Sequence, residues 1–542
     1  MGQIMNCTLA ARRQMSRVLG RAAGGITWLL RDDFVTDLPA GSVNDTAAEP
    51  GPGTRVVVDT ANKLWLESGK LRFALRDPHI TGDPGLWLSG PIQRVAGRMA
   101  IFDIPTNYSN FWVGWDTNLT GSMYHGFYWY DHLRIDSISG PIIQSMDSSS
   151  YMLTSVLRDN GAFYFKKQPS VSSKWLLSWI NSSGTVSPLY ITVSGYYHAP
   201  TVSRIGVPDA LWLPTPLVSD GFGAAFGTTD GLGHAEGIAG GIGAGGAGVA
   251  WSNVGSTWSV SGGKAINTPN LGANVVTNSG FDVDANWSKG AGWSIASGKA
   301  THAPGSATSI TTTTLSSNKF YRFSLNVVAR ASSINLNIGD SSDRNITPLL
   351  STGTFSAVSR SYGSLLRAFA QSAYDGDIDD FTGQEIILAE MISVANASVA
   401  DVYVGADIVQ PSDMRFAGIA LSWDSSTNPQ NGVLVALWKN YGFTIANIVV
   451  MKMVNGAISE VSSTAYTYIS GAQLVVCKSG TKYRVYYNSA FIVEFTVSDA
   501  GIINNTLHGM FSTDTANTLD NFVCYPTGTG GEYATLDQYT QA

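Results

Sequence analysis

A chain of 542 residues exceeds what one hydrophobic core can serve, since single cores stop growing at about 250–300 residues, so several domains are expected. Charged residues make up only 13% of the chain, against roughly 25% in an average soluble protein, and the net charge is -7. That balance excludes an extended phosphate-binding face, and with it nucleic acid as a partner. No run approaches the roughly 20 apolar residues of a membrane-spanning helix, so membrane insertion is not expected.

The polar quota is met by Ser, Thr, Asn and Gly, residue types that suit short strands and turns better than helices. An all-β chain is the expectation. Residues 1 to about 22 are the exception. Ile4, Met5, Leu9, Met15, Val18 and Leu19 alternate with Arg12, Arg13, Arg17 and Arg21, and the Gly24-Gly25 pair follows, which predicts one basic, partly amphipathic helix. The arginines interrupt every stretch where the apolar core of a signal peptide would sit. Residues 1–30 read either as an arm that anchors the protein to another subunit or as a frayed tail.

From Asp32 to Leu217 the chain runs in short alternating segments such as LWLESGKLRFAL, FWVGW, FYWYDHLRI and AFYFKK, separated by turn residues. One β-sandwich is predicted over 31–217, closed by the stiff LWLPTPLVSDG segment with Pro214 and Pro216. Residues 231–248 are glycine-rich, and a loop is predicted there, since no Gly-Lys-Ser/Thr follows to make a phosphate cradle. Three segments share a hairpin signature: LWLESGKLRFA at Leu64, WSVSGGKAINTP at Trp258 and WSIASGKATHAP at Trp293. Two further pairs echo each other, FWVGWDTN at Phe111 with GIALSWDSSTN at Gly418, and SVLRDNGAFYFKK at Ser155 with VVCKSGTKYRVYY at Val475. The first and last thirds therefore read as two copies of one fold. Cys7, Cys477 and Cys524 are too few for a disulfide framework; the last two read as core thiols, with a bridge between them as the alternative.

The segment VSDAGIINNTLHGMFSTDTANTLDNFVCYP, with His-Gly-x-Phe followed by Asp-Asn-Phe, resembles the closing strands of laminin-G-like, concanavalin-type jelly rolls. With the opening at Asp220-Gly221-Phe222 it implies a second jelly roll over 218–272 and 385–528, followed by a tail at 529–542. Between those parts, NVVTNSGFDVDANWSKGAGWSIASGKATHAPGS and YDGDIDDFTGQEI resemble carbohydrate-binding-module sandwiches related to galactose-binding domains. This implies an inserted sandwich over 273–384. Tandem jelly-roll sandwiches, the second interrupted by a smaller one, are similar to what phage tail, fibre and capsid-decoration proteins carry.

The second resemblance implies a structural calcium held by Asp282 and by Asp379 or Asp380, with backbone carbonyls near Ser279 and Gly280 completing an all-oxygen set. Asp282 is shorter than the Glu usual at its position in that family. For sugar binding the requirement is a flat aromatic face beside hydrogen-bonding groups. Tyr128 and Tyr130 fall on one strand face, with Phe127 and Trp129 on the other. Trp115 and Trp287 are further candidates, as are Trp112, Trp293 and Trp423; for each tryptophan the competing reading is core packing. No Glu-x-Asp-x-x-Glu strand, Gly-x-Ser-x-Gly elbow or His-Glu-x-x-His is present, and Asp375, Asp377 and Asp379 are the nearest alternating acids. The seven histidines are scattered, without metal-ligand spacing. No enzyme activity is expected.

These readings converge on a structural protein of the exterior of a phage-like virion. It is attached through its N-terminal arm to other virion proteins, is homo-oligomeric, and touches host-surface glycan. A cellular, lectin-like carbohydrate-binding protein is the alternative, and an enzyme acting on polysaccharide ranks third.

Overall fold

A computed structural model describes residues 28–540 apart from 40–41, 44–45, 50–53, 59–63, 69, 74–84, 89–90, 106–110, 118–122, 130–131, 136–141, 146–149, 159–160, 171, 182–186, 196–200, 223–248, 250, 253–256, 332–335, 341–344, 350 and 440–444. Most of the expected N-terminal arm and the whole glycine-rich segment therefore lie outside the described residues. Residues 28–30 of the arm are strand, because Trp28–Asp32 pairs antiparallel with Arg204–Pro208 and Leu30 is buried. The described chain is almost entirely antiparallel β, and helix is confined to single turns such as Leu388–Met391 and Ala500–Ile503. It forms two compact units, one of residues 1–215 with 489–491 and 526–542, the other of residues 216–488 and 492–525.

In the first unit two sheets carry the sandwich. One runs Trp28–Asp32, Arg204–Pro208, Met99–Ile104, Tyr151–Leu157, Ala162–Lys167, Leu176–Asn181. The other runs Ile142–Ser145, His132–Ile135, Met123–Trp129, Phe111–Asp116, Tyr190–Gly195, Gly85–Leu88, Arg55–Val58. Phe127 on the second sheet meets Tyr164 on the first edge-on, with ring centroids 5.5 Å apart, so the layer between the sheets is the core. The expected tail is part of this unit: Thr527 O accepts from Leu177 N–H, Tyr533 packs edge-on against Phe165, and Asp537 takes hydrogen bonds from Trp175 Nε1 and Lys167 Nζ.

The second unit repeats the same strand order. Val218–Asp220 pairs with Thr518–Pro526, which continues to Val402–Val409, Ala472–Ser479, Lys482–Tyr487 and Ala490–Thr496. The facing sheet runs Ile392–Asn396, Leu507–Ser512, Phe416–Trp423, Gly432–Lys439, Ile445–Val454, Ala457–Thr467. Both sequence echoes fall on equivalent elements: Phe111–Asp116 and Phe416–Trp423 are the same strand of the two copies, and Tyr151–Lys167 and Ala472–Tyr487 the same hairpin. The opening turn is shared too. Asp32 Oδ1 accepts from Phe34 N–H at 3.0 Å and Asp220 Oδ1 from Phe222 N–H at 2.9 Å, each Phe at positive φ. The buried acid is then satisfied differently, by Arg55 in the first copy and by Trp251 Nε1 in the second.

Between Leu271 and Ile386 lies a smaller sandwich of two sheets. One runs Trp293–Ala296, Lys299–His302, Gly376–Ile386, Phe320–Arg330, Gly353–Arg360; the other runs Ser288–Lys289, Thr308–Thr313, Leu365–Ala370, Leu336–Asp340, Asn345–Leu349. The shared hairpin signature recurs in all three modules. Glu67 and Lys70 exchange both backbone hydrogen bonds, Ser261 pairs Lys264, and Ala296 pairs Lys299. In the last two the turn residues, Gly262-Gly263 and Ser297-Gly298, all have positive φ, the conformation that matches strand twist in a two-residue turn.

The inserted sandwich and the second jelly roll share an apolar cluster. Phe320, Val358 and Ile386 of the insert pack with Phe416, Ala420, Leu434, Ala436, Met451 and Phe511 of the jelly-roll sheet. Ala417, Ile419, Leu421, Val433 and Val435 on the opposite face of the same strands fill the jelly-roll core. Phe416–Trp423 is consequently buried at every position. This explains the unbroken apolar runs GIALSW and GVLVALW: a strand covered on both faces has no polar face to alternate with. The junction is also pinned by charge, for Asp514 Oδ2 accepts from Arg415 Nε at 2.7 Å and from Arg322 at 3.1 Å, while Arg415 donates to the backbone and side chain of Ser356.

Candidate functional site

The equivalence of the two jelly rolls identifies one sheet face that differs between them. In the first copy, strand alternation turns Val113, Trp115, Phe127, Leu133 and Ile135 into the core. The other face carries Trp112, Tyr128 and Arg134, direct cross-strand neighbours in one row and all half-buried. Trp112 and Tyr128 stack with centroids 5.9 Å apart at 28°. Trp112 Nε1 has no hydrogen-bond partner among the described residues. In the second copy the same face carries Phe416, Ala420, Leu434, Ala436 and Met451, with the stacked pair Phe416–Trp438 among them, and is covered by the insert. The first copy thus presents an aromatic pair beside a guanidinium on the face that the second copy uses for internal packing.

Of the residues singled out from sequence, Tyr128 belongs to this row, and its separation from Phe127 across the strand is observed. Tyr130 lies outside the described residues. Trp115 is a correction: it is 0% exposed and points into the core of the first sandwich. Trp287 is another correction, 7% exposed, sandwiched between Phe281 at 4.9 Å and Phe381 at 5.6 Å, its Nε1 donating to Asn278 O. Both have the burial expected of large aromatics, worth about 1.5–3 kcal/mol each, and neither is available as a sugar platform. Arg134 had no sequence signal, since a lone arginine in HLRI reads as a solvated strand position.

A second constellation sits at the junction of the insert and the second jelly roll. A cavity of about 310 Å³ is lined by Arg360 and Tyr362 of the insert and by Phe416, Trp438, Asn447, Val449, Met451, Glu460 and Ser463 of the jelly roll. Tyr362 donates to Glu460 Oε2 at 2.9 Å, and the Arg360 guanidinium lies 4.2 Å from the Tyr362 ring centre. Burial, and secondarily the nearby Glu460, push the Tyr362 hydroxyl pKa above its usual value. None of these residues was marked by the sequence, because an insertion brings together positions about a hundred apart with no motif to announce it.

The acidic cluster expected to hold calcium is a group of neighbours. Burial, with the charges of Asp380 and Asp282 adding to it, raises Asp379 above the ordinary carboxylate range, and Asp379 Oδ1 accepts from Asp380 N–H at 2.7 Å. A bound cation would relieve that repulsion. Among the described residues, however, no three His, Cys, Asp or Glu side chains are spaced as a ready-made ligand set. Ser279 O, one of the carbonyls expected to complete it, accepts from Phe381 N–H. Of the alternating acids, Asp377 is tied to Lys299 and Thr301; those contacts outweigh its desolvation and hold it below the usual range. Cys477 and Cys524 are not bridged to each other, and burial raises the pKa of Cys524.

No family model and no curated protein matches this sequence. Solved structures to which the chain is similar include the carbohydrate-binding module CBM66 from Bacillus subtilis, 15% identical over 24% of this chain and 81% of that one, with a TM-score of 0.21. A beta-1,3-glucanase from Mycobacterium marinum is 12% identical over 34% of this chain and 100% of its own, with a TM-score of 0.23. A xylan beta-1,4-xylosidase from Bacillus halodurans C-125 is 10% identical over 91% of this chain and 89% of its own, with a TM-score of 0.24. At these values none of them carries an argument about what this chain does.

Proposed function

We propose that the chain is a non-catalytic saccharide-binding protein that engages glycan through the Trp112–Tyr128–Arg134 row of its first jelly roll. The row itself carries the reading: stacked rings supply the apolar surface that pyranose C–H faces pack on, and the adjacent guanidinium supplies donors for hydroxyls. Non-catalysis is supported by the chemistry of the acids. Asp377 is ion-paired with Lys299, and Glu460, the carboxylate of the junction cavity, is held by the Tyr362 hydroxyl. The test is co-sedimentation of the full chain with insoluble polysaccharides, wild type against Trp112→Ala and Arg134→Ala, alongside a reducing-end assay. Retention that is indifferent to both substitutions sinks the site, and turnover abolished by changing one acid sinks the non-catalytic reading.

The finer placement, on the exterior of a phage-like virion among other virion proteins and in several symmetric copies, rests on the resemblance of the module order alone. The N-terminal arm is the proposed anchor. Since Trp28 begins a strand, the informative deletion removes residues 1–26 only. Full incorporation of that variant into particles would count against anchoring, and absence of the protein from purified particles would favour the cellular lectin.

A further inference from the structure

We infer that the junction cavity between the insert and the second jelly roll is a separate binding site for a short neutral saccharide, of one or two rings, distinct from the aromatic row on the first jelly roll. The inference rests on the saccharide-binding reading but on different residues.

Size comes first. At about 310 Å³ the cavity is at the small end of the roughly 300–1,000 Å³ range of ligand pockets, too small for an extended polymer. Its lining is amphipathic in the sense a sugar requires. Trp438 and Asn447 are direct cross-strand partners on the sheet, so an indole and a carboxamide stand side by side. Opposite them the insert contributes Arg360, 5% exposed. Arg360 donates to Ile458 O at 2.7 Å and reaches Asn318 Oδ1 at 3.3 Å, which fixes the guanidinium, yet its Nε has no acceptor among the described residues. Trp438 Nε1 likewise has none.

Charge then narrows the class. The cavity holds one guanidinium and one carboxylate, Glu460, so an anion would meet Glu460 and a cation would meet Arg360. A polyhydroxylated neutral ring, whose hydroxyls both donate and accept, satisfies both. The walls come from two sandwiches, so occupancy would also tie the insert to its host.

The experiment titrates the full chain with millimolar cellobiose, maltose, lactose and chitobiose, followed by tryptophan fluorescence and saturation-transfer NMR. Ser463 is exposed at the rim, and Ser463→Trp is designed to fill the mouth without touching the core. Glu460→Gln is the second variant, which keeps an acceptor for Tyr362. Binding of at least one disaccharide is expected, weakened tenfold or more by Ser463→Trp and severalfold by Glu460→Gln, and unchanged by Trp112→Ala. The inference is overturned if no disaccharide binds while polysaccharide retention through Trp112 persists. It is equally overturned if binding survives both cavity variants with unaltered affinity. Loss of the polysaccharide interaction with disaccharide binding intact would sink the row and leave the cavity standing.

Discussion

Lowering the pH should unload stability through one buried histidine. His508 lies on the strand Leu507–Ser512, 1% exposed, with Nδ1 accepting from Ser422 N–H at 3.2 Å and Nε2 placed to donate to Val399 O at 3.1 Å. That arrangement fixes the neutral tautomer and leaves no room for a second ring proton. Desolvation first, with the nearby ammonium of Lys478 contributing, lowers its pKa from 6.5 to about 4. Lys478 is itself buried and held by Asp401 at 2.8 Å. The folded state therefore binds its proton less readily than the unfolded chain. Above about 6.5 both states are neutral and the histidine contributes no pH dependence; as the pH falls from there toward about 4 only the unfolded state is protonated, and stability is lost. At about 1.4 kcal/mol per unit the loss is on the order of 3 kcal/mol. Urea unfolding followed by tryptophan fluorescence across this window, wild type against His508→Asn, measures it. The variant starts less stable but should have the shallower slope. Equal slopes in the two proteins would refute the assignment.

Three more substitutions test the packing. Asp514→Ala strips the shared acceptor from Arg415 and Arg322 at the insert junction and should cost about 2 kcal/mol, read as a lower urea midpoint for the second unit. Gly509→Ala would place a Cβ 2.0 Å from Ser393 O inside a sheet, a clash that only backbone movement can relieve, so a loss of about 3 kcal/mol or more is expected. Asp379→Asn removes like-charge repulsion from Asp380 and Asp282 and should leave unfolding stability in EDTA equal or slightly higher, by less than about 1 kcal/mol for so exposed a cluster. In wild type, a calcium-dependent rise in Tm that the variant lacks would show that the cluster closes into a ligand set.

The architecture was legible because its signals are local. Alternation, Gly-Lys turns and the Trp-Asp and hairpin echoes all report on neighbours within a few residues, and they located the sheets and the duplication. The Asp220 turn was marked in the sequence as Asp220-Gly221-Phe222, but its counterpart at Asp32 and Phe34 was not, and the second partners of the two acids, Arg55 and Trp251, differ. The aromatic candidates were only half legible. Periodicity separates Phe127 from Tyr128, but it cannot say which face of a strand meets another sheet; Trp115 and Trp287 went inward for that reason. The junction residues Arg360, Tyr362, Trp438 and Glu460 carried no signal at all, since what unites them is the docking of one sandwich on another.

The insert leaves and rejoins its host at adjacent positions, Leu271 pairing with Ile386, so in chain connectivity it is a removable cassette. Its footprint says otherwise. Excising it would lay bare Phe416, Leu434, Met451 and Phe511, an oily strip with nothing to shed water-driven self-association. Any relative lacking the cassette should therefore show polar replacements along that strip, a dependence that makes the smaller sandwich an obligate lid for the larger.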